Sequence, residues 1–282
     1  MPSALYGESE ASVVELEEFK KIQRQMWEEG DYRPVGRLIE PAAQILVQEA
    51  GVRAGQRVLD VGTGSGSVAV AAALAGAEVV GVDITDAWFD EAHGRASAVG
   101  VKLDLRLGDA EALPVDDGSY EVVLSSFAAI FAPRHDLVAS ELVRVCRVGG
   151  VFGITAWTPD GANNAVFSTL VELLPAPPEF VTPSILWGDP DHVRSLFASH
   201  NVALRFERLK FTVTFRSVEA FESFAFENSG VLIAARRVLQ EMGRWDEAQA
   251  AMREAMDLTN EADDGSYRVA WDFLLTIGTK AA

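Results

Sequence analysis

Hydrophobic positions fall at helical spacing early in the chain and in short continuous runs later. Val13, Val14, Leu16 and Phe19 recur every three or four residues, and Leu38, Ile39, Ala42, Ile45 and Leu46 repeat the pattern, so residues 1–50 read as helices. Between the two segments, the Gly30 and Pro34 of residues 27–34 predict a break. From about residue 56 the pattern changes. Residues 58–61, 78–83, 102–107, 121–126 and 151–157 read as strands, with helices predicted over 68–75, about 86–99, and 137–146. Short, nearly all-apolar strands alternating with helices are what a parallel sheet buried on both faces requires, so the fold class is α/β, doubly wound.

Beyond Trp157 the regularity weakens. A helix is expected over 165–174, stopped by Pro175-Ala176-Pro177-Pro178, and another over 189–199. Leu204, Phe206, Leu209, Phe211, Val213 and Phe215 alternate through 203–215, which predicts a long half-exposed strand. Residues 217–258 return to helical spacing, and 267–277 read as a last strand. Two late strands separated by helices suggest an antiparallel sheet edge with a helical cap inserted. The expected organisation is an N-terminal helical segment (1–50), a ligand-binding core (51–160), and cap helices with the last two strands of the same sheet (161–282).

Composition changes this picture little, but charge narrows it. The chain has 282 residues, enough for one α/β domain with a cap. With 24 Lys and Arg against 42 Asp and Glu, its formal net charge is -18, which repels phosphate backbones and anionic membranes and argues against both as partners. No apolar run has the length of a bilayer-spanning helix, and Met1-Pro2-Ser3-Ala4-Leu5-Tyr6 lacks the layout of a signal peptide. The single cysteine, Cys146, excludes an internal disulfide and a cysteine-cluster metal site, so a cytoplasmic location and no metal are the default expectations.

The candidate chemistry begins at Asp60-Val61-Gly62-Thr63-Gly64-Ser65-Gly66, placed between a strand and a helix. Glycines there let the backbone turn sharply and approach a ligand closely. The dinucleotide fingerprint is G-x-G-x-x-G, whereas this loop is G-x-G-x-G with an acid two residues ahead. Asp60 would be an awkward neighbour for pyrophosphate but suits a cationic ligand. Asp83 follows, 21 residues beyond Gly62, where a carboxylate can accept both ribose hydroxyls. Asp109, in Gly108-Asp109-Ala110, completes a row of three acids at the carboxyl ends of the first three strands, the edge where open α/β sheets bind ligands.

These motifs resemble class I S-adenosylmethionine-dependent methyltransferases of the UbiE-like, type 11 group. The resemblance spans about residues 55–157 and rests on the glycine loop, Asp83, Gly108 to Pro114, Tyr120-Glu121-Val122-Val123-Leu124-Ser125, and Leu142-Val143-Arg144-Val145-Cys146-Arg147-Val148-Gly149-Gly150. It implies a mostly parallel, seven-stranded Rossmann-like sheet and S-adenosylmethionine as cofactor. In that family Gly62, Thr63 and Gly64 would line the methionine part, and Asp60 would orient the loop or face the amino group through water. Asp83 would hold the ribose, Ile84 would cover one adenine face, Asp109 and Ala110 would read its edge, and Ser125 would offer its carbonyl to the ammonium. Many relatives carry Pro where this chain has Val148, a departure expected to alter a turn.

The implied reaction is in-line methyl transfer to an O, N or C atom of a small, flat or apolar metabolite, in the manner of secondary metabolism. A protic acceptor needs a base, and His135, following the fourth strand, is the first candidate; His192 and His200 flank the expected cap helix. Tyr6, Trp27, Tyr32, Phe127, Phe131, Trp157, Trp187, Phe224 and Phe226 fall in segments expected around the open end of the sheet, with Trp27, Tyr32, Phe127, Trp157 and Trp187 as acceptor contacts. Two alternatives stay open: an NAD(P)-dependent oxidoreductase, and a protein that binds the cofactor without methylating. Oligomeric state, a homodimer included, is not readable.

Overall fold

The structure, a computed structural model, describes residues 10–282. Among the described residues, three helices come first: α1 (Glu10–Glu28), α2 (Tyr32–Leu38) and α3 (Glu40–Glu49). The alternating region follows as β1 (Arg57–Val61), α4 (Ser67–Leu74), β2 (Glu78–Asp83), α5 (Phe89–Ala98), β3 (Asp104–Leu107), β4 (Tyr120–Ser126), α6 (His135–Val145) and β5 (Cys146–Trp157). The rest comprises α7 (Ala162–Val171), α8 (Pro190–Leu196), β6 (Val202–Phe215), α9 (Val218–Asn228), α10 (Gly230–Glu241), α11 (Trp245–Thr259) and β7 (Tyr267–Lys280).

The strands form one seven-stranded sheet in the order β3-β2-β1-β4-β5-β7-β6. β1 through β5 run parallel, and β7 lies antiparallel to both β5 and β6. The order reverses at β1, which pairs with β2 on one side and β4 on the other, and that switch point opens a crevice at the strands' carboxyl ends. The doubly wound α/β class and the antiparallel edge match the expectation.

Burial explains which segments became strands. Four of the five β1 residues are buried, as a central strand covered on both faces demands, while β6 at the edge alternates between half-buried and exposed positions. One core lies under α6 and α8 and includes Leu59, Val123, Phe152 and Phe197. A second lies under α3 and α4 and includes Leu46, Val58 and Leu275. A third, with Phe221, Met252 and Met256, binds the cap helices to the outer ends of β6 and β7.

Two local expectations need correction. The break expected over 27–34 falls at Gly30, φ 78°, between α1 and α2, and not at Pro34: Asp31 caps α2, its carboxylate accepting from the Arg33 N–H at 3.0 Å, and Pro34 sits in the first turn, where a missing N–H costs nothing. β5 begins five residues earlier than residue 151, at Cys146, because the β4–β5 register shifts between Tyr120 and Val122 and accommodates Gly149 at φ 74°. Val148 is exposed in that irregular stretch, so its side chain faces solvent and not the site.

Candidate active site

The loop between β1 and α4 is built around close approaches. Gly62 has φ 73°, and a Cβ there would lie 2.3 Å from the Ala128 Cβ, so the β4 end and the loop meet at a distance only glycine permits. Gly64 instead faces open space, leaving a clear side toward the crevice. Four of the loop's N–H groups are spent inside the protein. Those of Gly62 and Thr63 donate to the Val82 carbonyl at 2.7 and 3.1 Å, that of Gly64 to the Asp83 carboxylate at 2.8 Å, and that of Gly66 to the Thr63 carbonyl at 2.8 Å. An anion cradle needs those donors free, so the loop is poorly furnished for pyrophosphate.

Asp60 is buried behind the loop. One carboxylate oxygen accepts from Thr63 Oγ1 at 2.8 Å and the Ala69 N–H at 3.1 Å; the other, Oδ1, is buried with no hydrogen-bond partner. Burial pushes its pKa up to about 7, outweighing those two donors. Asp83 ends β2 with Oδ2 on the Gly64 N–H and Oδ1 on the Thr85 N–H at 3.2 Å, and burial raises its pKa as well. A carboxylate has about four lone-pair positions, so both acids keep acceptor capacity. A buried carboxylate, Asp60, and a half-buried one, Asp83, both with acceptor capacity to spare beside a glycine loop, fit a ligand with a cationic end and a diol, which is what S-adenosylmethionine offers.

The third strand end carries more than the expected acid. Asp109 Oδ1 accepts from the Glu111 N–H at 2.9 Å, and Lys20 from α1 reaches both Asp109 Oδ2 at 2.5 Å and Glu111 Oε2 at 2.6 Å. Glu111 is buried and also takes the Arg134 N–H at 2.7 Å and its guanidinium at 2.9 Å. Ala110 and Ile84 are half-buried beside this cluster and the β2 end; Arg24 of α1 donates to the Ile84 carbonyl at 2.9 Å. Ser125 is fully buried; its hydroxyl donates to the Val61 carbonyl at 2.8 Å and accepts from the Ala129 N–H at 3.0 Å, tying the ends of β1 and β4 together. Sequence reasoning missed Lys20, Arg24 and Glu111, since a helix of mixed charge reads as a solvated face.

The aromatic residues divide into three groups. Trp27, Tyr32, Phe131 and Trp88 form a chain of edge contacts, with Trp27 4.9 Å from Phe131, and the Trp88 indole donates to the Trp27 carbonyl at 2.9 Å. Phe127 stacks on Trp157 with centroids 3.8 Å apart and planes 11° off parallel. Phe127 is also the one non-glycine described residue with positive φ, at 50°, a strained conformation of the kind held at ligand sites. Phe224 and Phe226 pack within the cap, against Phe215 and Trp245, and Tyr6 lies outside the described residues.

Trp187 and His135 depart from the expected placement. The Trp187 ring is 1% exposed and wedged against His135 and Phe197, so it has no free face to offer a ligand. Its neighbour Gly188 backs onto the Trp157 carbonyl, where a Cβ would lie at 1.9 Å, and the segment therefore supports the end of β5 from behind. His135 is buried at the start of α6, with Nδ1 3.0 Å from His192 Nε2. Burial, with the neighbouring His192, pushes its pKa down to about 4, which makes it a weak base tied to a partner. His93 is exposed on α5, and His200 lies near Ser140 at the back of α6.

Comparison with known proteins gives the family. Residues 59–154 match the family model described as a methyltransferase domain. An uncharacterized protein of Mycobacterium tuberculosis is 42% identical over 191 residues, covering 67% of this chain and 70% of that protein. A ubiquinone biosynthesis O-methyltransferase of Bordetella bronchiseptica is 36% identical over 140 residues, covering 49% and 58%. The crystal structure of YcgJ from Bacillus subtilis superposes with a TM-score of 0.60 at 21% identity, over 86% of this chain and 98% of that one. The chain belongs to the class I S-adenosylmethionine-dependent methyltransferases, in the type 11 group, and S-adenosylmethionine is its cofactor. Among the described residues, no helix is long and apolar enough to cross a membrane, and no group of three metal-ligating side chains occurs.

Proposed function

We propose that the protein transfers a methyl group from S-adenosylmethionine to a small, flat, largely apolar acceptor seated against the Phe127–Trp157 stack. In this reading Asp83 receives the ribose hydroxyls with the lone pairs left over from Gly64 and Thr85. Gly62, Thr63 and Gly64 line the methionine end with Asp60 behind them, and the Ser125 carbonyl receives the ammonium. Ile84 covers one face of the adenine, while Asp109 and Ala110 read its edge. Bound cofactor supplies a methyl group on a sulfonium centre that carries its own leaving group. The protein's contribution is then placement of the acceptor in a dry crevice, which accounts for much of the acceleration in such displacements. Trp27 and Tyr32 close the crevice from the N-terminal side. Trp187 and His135 are assigned supporting roles, and an acceptor proton leaves to solvent or to a base on the acceptor itself.

The observation that carries this reading is the loop with four of its N–H groups already spent, flanked by the buried carboxylate of Asp60 and the half-buried one of Asp83. It favours a cation over a pyrophosphate, and so disfavours an NAD(P) enzyme. The test is incubation with methyl-tritiated cofactor and a panel of phenols, quinols and planar heterocycles. Label in an organic-extractable product, absent with the Asp83→Ala variant, supports the proposal. Cofactor binding without label transfer to any acceptor of that panel would speak for a non-methylating role.

A further inference from the structure

α1 lies across the cofactor edge of the sheet and touches three successive strand ends. Arg24 and Glu28 bind the loop after β2, at the Ile84 carbonyl and the Thr85 hydroxyl, both at 2.9 Å. Lys20 binds the loop after β3, and Gln23 donates to the Phe131 carbonyl after β4 at 2.9 Å. Lys20 is the buried cation among these, with only 11% of its side chain exposed, and it sits between two carboxylates. One of these, Asp109, is the group assigned above to the adenine edge.

We infer that Lys20 is a positioning residue for adenine recognition: its ammonium fixes the Asp109 carboxylate in the orientation that accepts the adenine amino group. The inference rests on the proposed role of Asp109. Physically, the Glu111 N–H on Oδ1 and the Lys20 ammonium on Oδ2 hold the carboxylate plane at two points, leaving the remaining lone pairs directed and unoccupied. Without Lys20, two neighbouring carboxylates would share a site with little solvent and one cation fewer. Glu111 would keep Arg134, whereas Asp109, 29% exposed, would turn toward water. Lys20 thus links a helix that reads as solvated in sequence to the specificity of the nucleoside pocket.

The test compares S-adenosylhomocysteine with S-inosylhomocysteine, which carries an oxo group in place of the adenine amino group, by titration calorimetry. Wild type is expected to prefer the adenosyl ligand by at least about tenfold, the scale of one charge-assisted hydrogen bond. Lys20→Met is expected to bring the two affinities within about threefold, and Lys20→Arg to restore most of the preference. Melting of each ligand-free variant monitors folding, and Lys20→Gln serves if Lys20→Met does not fold. An unchanged preference with both ligands weakened equally would overturn the inference, leaving Lys20 as a pin for α1 only. Tighter adenosyl binding by Lys20→Met would also overturn it, because Lys20 would then occupy the amino group's place. Asp109→Ala, which removes the acceptor altogether, separates the two levels: if it leaves the preference intact, the reading of Asp109 itself fails.

Discussion

At the scale of single residues, Asp60 is the most informative. Its unpartnered Oδ1 and its raised pKa express one lack, a hydrogen-bond donor or positive charge in a buried place. Near pH 7, where its pKa lies, about half the ligand-free molecules carry that proton. A cationic ligand favours the ionised form, so cofactor binding should release a proton and tighten as pH rises through 7. Calorimetry in buffers of different ionisation enthalpy reads this directly, and Asp60→Asn should abolish the release while leaving the Thr63 and Ala69 contacts an acceptor. Gly62→Ala should cost about 2 kcal/mol or more, from the left-handed backbone and the clash with Ala128, and should abolish cofactor binding. His135 speaks through stability. Its folded pKa of about 4 lies below the ordinary 6.5, so the folded state resists protonation there, and the stability this contributes is lost as pH falls from 6.5 toward 4. His135→Asn should flatten that part of the melting profile relative to wild type, while the pH dependence of turnover stays unchanged.

At the scale of elements, the sheet was legible because its strands are short apolar runs with helices between them, and the site's acids were legible because each follows such a run. Asp60, Asp83 and Asp109 need only strand ends to be located. What α1 does was not legible. Its Lys20, Gln23 and Arg24 are polar, and only the folded chain carries them 89, 108 and 60 residues across to Asp109, Phe131 and Ile84. The burial of His135 and Trp187 was equally hidden, since a histidine at a helix start reads as exposed until α8 is packed over it. The docking of α1 yields a measurable expectation. Trp88→Phe removes one N–H donor to the Trp27 carbonyl, and should loosen the helix by about 1 kcal/mol. Hydrogen exchange of α1 amides should then speed up several-fold with little change in β1 or β4.

At the scale of the whole molecule, a net charge of -18 surrounds a crevice whose own Asp60 and Asp83 are also acidic. Such a field attracts cations and repels polyanions, so the protein should show no retention on heparin at low salt. The family sets the cofactor, and in the proposed reading Asp60 and Asp83 suit its cationic end and its diol. The most decisive measurement is titration with S-adenosylhomocysteine, with NADH as comparator. Saturable binding of S-adenosylhomocysteine is expected, lost in Asp83→Ala with the fold intact, together with no binding of NADH. Binding of NADH, or undiminished binding of S-adenosylhomocysteine by Asp83→Ala, would contradict that expectation.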